Sequence, residues 1–462
     1  MTEQAKFLNG SLMRHIAIMS LTSSFGLMAV FLVDFVDMIF ISMLGKAELA
    51  AAIGYAGAIL FFTSSFGIGM AISAGALVSR ALGAGDTALA QAKASHTLIY
   101  GFVFGVIFSA LVWFNIRPLA QLLGAQGDTL DLAVRYLQII IPSLPILLLG
   151  MVGGAILRAH GDARRSMFAT FWGAIVNAVL DPILIFGFDL ELTGAAMASV
   201  AARIVIATAS ILPIFRYYGG LGRPKAKELA SDLSPVMALA IPAILTQLAT
   251  PIGQAYVTRA MATYGEQAVA GMAIIGRLIP VGFAVIFALS GAIGPIIGQN
   301  FGAGQMDRVR QSFKEGLLFT AGIVVVVSAI FFALRSPLEL LFALDGEARQ
   351  LVFLFAGPLS LLFFFNGAIF VANAAFNNLG HPFYSTWINW GRHTLGTVPF
   401  VMLGSAWLGA PGVIIGQYLG GVVFGIVAIW LAWRVISSGG AADTREPFHR
   451  HLTLFGNLQR RR

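Results

Sequence analysis

Apolar stretches of about 20 residues recur along the whole chain, and each is long enough for a helix to cross the hydrocarbon core of a bilayer. In lipid only helices and closed barrels satisfy their own backbone groups. These runs are about twice the length of a barrel strand and do not alternate polar with apolar, so they read as helices. Only 11% of the 462 residues are charged, against roughly 25% in a soluble domain, and the mean hydropathy is +0.84. The expected fold is an all-α polytopic membrane protein whose main surroundings are the lipid bilayer.

Twelve spans are expected, near 12–37, 48–78, 94–114, 129–157, 167–187 and 193–216, then 235–262, 268–298, 312–334, 348–376, 384–404 and 411–435. Residues 1–14 lack the apolar core and small-residue cleavage site of a signal peptide, so the run after Arg14 reads as a retained first span. The polar stretch from Tyr217 to Asp232 divides the chain. An N-terminal lobe (1–216), a linker (217–234), a C-terminal lobe (235–436) and a basic tail (437–462) follow from it. With the N-terminus inside, most Lys and Arg collect on the inner side. They include Lys6, Arg14, Arg80, Lys93, Arg158, Arg164, Arg165, Arg223, Lys225, Lys227, Arg308, Arg310 and Lys314. That asymmetry places both termini in the cytoplasm. It also explains the net charge of +8 without nucleic acid, because the cations sit in short loops. No cysteine is present, which excludes disulfides and thiolate metal sites.

The two halves repeat each other. Leu82-Gly83-Ala84-Gly85 recurs as Phe301-Gly302-Ala303-Gly304, and Arg158 to Asp162 falls on Asn377 to His381 at the same offset of 219. One residue more of offset carries Gly45 to Ala51 onto Gly265 to Gly271. Six spans per half is an even number, so the halves are parallel repeats, an arrangement used by transporters.

Charges within spans are costly and mark function by default. Three acids look embedded, Asp34 and Asp37 in the first span and Asp181 in the fifth, and their repeat counterparts are Gln254, Val257 and Phe400. Asp34 and Asp37 are three apart and share a helix face, as do Asn177 and Asp181, four apart. Neighbouring carboxyls in low dielectric hold a proton between them, because ionising both is unfavourable. The same oxygens, Asp37, Asn177 and Asp181, could instead hold Na⁺, a hard cation. The plainer alternative, a hydrated carboxylate at the membrane interface, weighs most on Asp34. Arg203, Arg259, Arg277 and Arg392 also look embedded. Snorkelling or pairing is the simpler account of each, and His393 reads as polar packing.

Gly83-Ala84-Gly85-Asp86 fits the GxGD string of intramembrane aspartyl proteases, but it sits in a basic loop and its repeat replaces Asp86 with Gln305. No Walker motif is present. The chain is therefore read as a carrier and not an enzyme, with no cofactor.

Leu157 to Asp162, followed by Asn177-Ala178-Val179-Leu180-Asp181-Pro182 and Gly194 to Ser199, resembles a signature of the multidrug and toxic compound extrusion transporters. Phe35-Val36-Asp37, Gly45 and Glu48 to Ala51 are similar to that family's opening, and the resemblance runs in order to about Ser437. It implies two six-helix lobes around a central cleft and alternating access. It further implies export of amphipathic, often cationic small molecules and drugs against an inward flow of H⁺ or Na⁺. Asp37, Asn177, Asp181 and Ser199 match the branch with its ion site in the N-terminal lobe, and Tyr136 matches an aromatic hydroxyl beside it. The branch with a Glu in the seventh span is not matched. Family members commonly carry a proline fifteen residues before the aspartate; here that residue is Thr22, whereas the seventh span keeps Pro242.

The expectation is an H⁺-coupled antiporter of a bacterial inner membrane, a monomer, in which Asp37 and Asp181 take up the ion. A lipid-linked sugar flippase of related architecture is the near rival, and a membrane-embedded enzyme the rival of another class.

Overall fold

The computed structural model describes residues 5–440, so most of the basic tail, 441–462, lies outside the described residues. Every regular element among them is helical. The first repeat consists of α1 (Leu12–Met43), α2 (Ala47–Gly83), α3 (Thr87–Phe114), α4 (Ile116–Leu122), α5 (Gly127–Ile140), α6 (Leu144–Ala159), α7 (Ala163–Pro182) and α8 (Glu191–Tyr217). The second consists of α9 (Ala226–Ala262), α10 (Glu266–Gly282), α11 (Ala284–Gly302), α12 (Met306–Ala333), α13 (Arg335–Leu341), α14 (Gly346–Leu354), α15 (Phe363–Asn378), α16 (Pro382–His393), α17 (Val398–Leu408) and α18 (Ala410–Ser437).

The repeat read from short strings holds at the level of whole helices. α3 recurs as α12, the short α4 as α13, and α6 as α15, each 219 residues on. Pairing the broken helices gives twelve spans: α5 with α6, α10 with α11, α14 with α15, and α16 with α17. Ten helical segments among the described residues, the continuous α5–α6 counted as one, are long and apolar enough to cross a bilayer, and the α14–α15 pair qualifies as one span bent by 58°. One detail of the repeat shifts. Gly45 and Gly265 both take positive φ, an offset of 220, but α2 opens at Ala47 and α10 at Glu266, an offset of 219. The extra residue of offset therefore ends in the α1–α2 loop and does not extend to Ala51. In the second repeat the glycine itself is the N-cap, whereas in the first Lys46 intervenes.

By contact the chain forms two units, Thr22–Ala240 in one and Phe7–Leu21 with the chain from Ile241 onward in the other. The boundaries differ from those drawn at 216 and 235, because two segments that look like tether and linker are packed. In the second unit Phe7 is fully buried, and its N–H donates to Gln299 Oε1 at 2.9 Å. Its carbonyl accepts from Arg308 Nη2 at 2.9 Å and Asn300 Nδ2 at 3.3 Å. Burying one such side chain contributes about 2 kcal/mol, and these hydrogen bonds, one of them from a guanidinium, add to it against the entropy of ordering the segment. In the first unit Gly222 N–H donates to Gln91 O at 3.2 Å, which ties the nominal linker to α3.

Each unit has its own apolar core. In the first, Ile41, Leu49, Ala52, Leu137 and Ile185 pack together. In the second, Phe283 stacks on Phe363 with centroids 4.0 Å apart, among Val257, Leu351 and Phe355. α17 and α18 meet through Gly412, Gly416 and Gly420, spaced by four. A Cβ there would lie 1.8, 2.3 and 1.5 Å from the carbonyl oxygens of Gly404, Phe400 and Gly396. Small residues at this spacing let two helix backbones touch in lipid, where dispersion replaces the hydrophobic effect.

Candidate functional site

In the first unit, α1, α5, α7 and α8 bring together the side chains singled out in the sequence. Asn177 and Asp181 lie one turn apart on α7, and Asn177 Nδ2 donates to Asp181 Oδ2 at 2.6 Å. Asp181 is wholly buried. The Asp37 carboxyl, from α1, lies within hydrogen-bonding reach of Asp181. Oδ1 of each acid is sealed from solvent, and neither meets a donor among the described residues. Tyr136, on α5, lies beside Ser199 on α8 and within electrostatic reach of both acids. Asp34 does not join this cluster. It is exposed one turn back along α1 and makes no hydrogen bond to either acid.

Local sequence sets this geometry. Pro182 lacks the N–H that would continue the ladder, and the chain leaves α7 through one π-helical turn, Ile183–Gly187. α8 begins against that turn, because a Cβ at Gly194 would lie 2.7 Å from the Leu184 carbonyl carbon. That close approach sets Ser199, five residues on, beside Tyr136. Between α5 and α6, Pro142 and Pro145 leave the carbonyls of Gln138 and Ile141 without their helical donors. Trp113 Nε1 bonds the first at 3.3 Å and Ser109 Oγ the second at 2.8 Å. Arg203 bonds the same break, donating to Ile140 O at 3.0 Å and Ser143 Oγ at 2.9 Å. Its work is to hold a helix break, and no acid among the described residues pairs with it.

Two buried acceptors without a donor define what the cluster lacks: a proton shared between carboxyls, or a small hard cation. Asn177 spends its Nδ2 on Asp181 and keeps Oδ1 as a further acceptor, so the donor set fits either. No group of three His, Cys, Asp or Glu that could hold a metal ion is assembled among the described residues.

The second unit lacks this chemistry at equivalent positions. Gln254 accepts from Gln417 at 3.3 Å, and Val257 is a core residue. Arg259 stands in the last turn of α9, at the end of its span. Arg392 and His393 stand in the last turn of α16, where the helix breaks within a span. The His393 ring packs on Gly253, where a Cβ would lie 2.2 Å from Nδ1.

The signature strings outside the cluster are structural. In Gly83-Ala84-Gly85-Asp86, Gly85 takes φ +78° and closes the C-terminus of α2, while Asp86 caps α3 by accepting from Leu89 N–H at 2.8 Å. Asp162 does the same for α7, accepting from Arg165 N–H at 3.0 Å, and it also accepts from Tyr218 Oη at 2.6 Å and from the Arg165 guanidinium. One group of residues escapes a sequence reading. Asp232, at the start of α9, accepts from Lys93 Nζ at 2.5 Å and His96 Nδ1 at 2.6 Å. The available signal was Lys93 and His96, three apart on one face of α3.

Comparison with known proteins agrees with the fold. The MatE family model matches residues 23–183 and 242–403, one match per repeat. An FAD transporter of Shewanella oneidensis is 30% identical over 425 residues, which span 90% of this chain and 93% of that one. Multidrug export protein MepA of Staphylococcus aureus is 28% identical over 308 residues, 66% of this chain and 68% of the relative. A crystal structure of a Vibrio cholerae MATE transporter superposes with a TM-score of 0.87 at 24% identity, over 92% of this chain and 96% of that one. Fold and relatives define a multi-pass membrane transporter, not an enzyme. Within that class the chain belongs to the MatE family, the multidrug and toxic compound extrusion transporters.

Proposed function

We propose that this protein is an ion-coupled antiporter that exports amphipathic small molecules, organic cations among them, by alternating access. H⁺ is the coupling ion, taken up at Asp37 and Asp181, and both termini are cytoplasmic. The observation that carries this reading is the pair of buried carboxyl oxygens without a donor, beside the Asn177–Asp181 bond. A shared proton removes the like-charge repulsion and supplies the missing donor at once. Exchange then requires only that proton and cargo favour different conformations. Na⁺ at Asp37, Asn177 and Asp181 is the second reading, since the same oxygens would hold it. The likeness to an FAD transporter adds flavin nucleotides to the substrates worth trying.

The experiment is ethidium efflux from proteoliposomes under a pH gradient and a sodium gradient imposed separately. Efflux driven by the pH gradient alone, and lost in Asp37→Asn, is the expected result. Efflux driven by sodium alone would replace the ion, and proton-driven efflux retained in Asp37→Asn would remove Asp37 from coupling.

A further inference from the structure

The second unit holds a cation without a counter-charge. Arg392 is the only Asp, Glu, Lys or Arg between Arg349 and Arg434. It lies ten residues beyond Pro382, where α16 starts, or about 15 Å along the axis, which is half of a hydrocarbon core about 30 Å thick. α16 ends one residue later, and the chain turns through 394–397 before α17 begins. Its guanidinium makes no hydrogen bond or ion pair among the described residues. Arg203, by contrast, is hydrogen-bonded through Nη1 to a helix break.

A second donor stands nearby. Tyr418 on α18 is buried and within electrostatic reach of Arg392, and its hydroxyl also has no partner among the described residues. One turn on, Gly421 leaves α18 bare where the guanidinium passes, with a Cβ there 3.9 Å from Arg392 Nε. By the repeat, Tyr418 occupies the place of Ser199, Arg392 that of Gly173, and Phe400 that of Asp181. The first unit sets a hydroxyl beside an acid pair; the second sets a hydroxyl beside a cation. Two donors within electrostatic reach of each other, neither meeting an acceptor among the described residues, call for a group that accepts from both. A guanidinium offers paired N–H groups to an oxyanion.

We propose that Arg392 and Tyr418 form an oxyanion subsite that takes the phosphate of an amphipathic organic substrate. Lipid phosphates lie at the membrane surface, too far along α16 to serve, so the ligand is a solute. The proposal deepens the transporter reading and rests on it.

The test is equilibrium binding in phosphate-free detergent, with FMN and riboflavin as probes, which share a ring system and differ by one phosphate. The wild type should prefer FMN by at least about tenfold, as expected for a hydrogen-bonded charge pair. That ratio should fall to near one in Arg392→Gln, stand between in Arg392→Lys, and drop in part in Tyr418→Phe. An absence of preference in the wild type, including failure to bind either flavin, overturns the proposal, as does a preference that survives Arg392→Gln. Should that variant fail to fold, Tyr418→Phe decides: a lowered ratio supports the subsite and an unchanged ratio removes it. Binding is read without any gradient, so loss of driven efflux with the preference intact counts against the coupling mechanism and not against the subsite.

Discussion

Asn177 and Asp181 are joined through one carboxyl oxygen: the 2.6 Å bond from Asn177 Nδ2 takes Asp181 Oδ2, and the buried Oδ1 meets no donor among the described residues. The i, i+4 spacing on α7 makes this bond local, so it holds whether or not α1 brings Asp37 close. Asp37→Asn supplies an N–H to the orphaned oxygen and removes one of two adjacent charges. The variant should fold with a melting temperature equal to or above the wild type, yet show no gradient-driven efflux. Asn177→Ala strips the donor and should slow efflux roughly tenfold, the effect of one hydrogen bond to a charged group. Wild-type efflux in Asn177→Ala would mean that this bond does not tune the acid.

The elbow between α6 and α7 makes the fold acid-sensitive. His160 stacks on Tyr218 with centroids 4.3 Å apart, and burial pushes its imidazole down to about 4. Below about pH 6.5 the unfolded chain takes up a proton that the folded chain refuses, so stability falls as pH drops toward 4. The loss amounts to roughly 3 kcal/mol at most. Burial works against ionised Asp162, but hydrogen bonds from Tyr218 and Arg165 prevail and hold its carboxyl below the usual carboxylate range. Its contribution is present above about pH 4 and is lost as pH falls further. Melting temperatures in detergent should therefore decline between pH 7 and pH 5, and His160→Gln should flatten that decline. An identical slope in the variant would assign the acid sensitivity elsewhere.

Hydropathy and the 219-residue offset made the fold legible, because lipid imposes length and polarity on every span. Asp37, Asn177 and Asp181 were legible for the same reason: an acid or amide inside a span must be explained. Asp34 obeyed that rule and still stands outside the cluster, since three residues turn a helix through about 300° and a shared face is not a shared pocket. The partners of Arg203 were not legible. They are the Ile140 carbonyl and the Ser143 hydroxyl at the Pro142–Pro145 break, and no residue pattern shows which donor will reach them. Phe7 and Asp232 were hidden by their surroundings, because short polar segments read as tethers until their contacts are known.

The glycine seam between α17 and α18 should tolerate no added methyl. A Cβ at Gly420 would fall 1.5 Å from the Gly396 carbonyl oxygen, a backbone atom that cannot swing aside as a side chain can. Gly420→Ala should cost about 3 kcal/mol or more, seen as a lowered melting temperature or loss of the monodisperse peak. Gly322→Ala, in α12 with nothing within 4 Å of the new Cβ, should be neutral or stabilising by up to about 1 kcal/mol. Equal effects in the two variants would mean that the seam relaxes.

Asp232 carries the last test, because it joins the start of α9 to α3. Its carboxylate answers Lys93 on one oxygen and the almost fully buried His96 on the other, while Tyr100 Oη bonds Leu229 O one turn away. Removing the acid leaves a lysine and an imidazole facing each other with little water, so Asp232→Ala should destabilise by roughly 3 kcal/mol. Burial also shields the cluster from salt, and the loss should be nearly the same at low and high ionic strength. Replacing all three together, as Lys93→Met, His96→Leu and Asp232→Leu, should recover most of the stability, because desolvation opposes any buried ion cluster. If the single variant instead behaves like an exposed pair, costing under about 1 kcal/mol and vanishing in salt, the acid does not anchor α9. Apolar contacts along α9 would then carry that attachment.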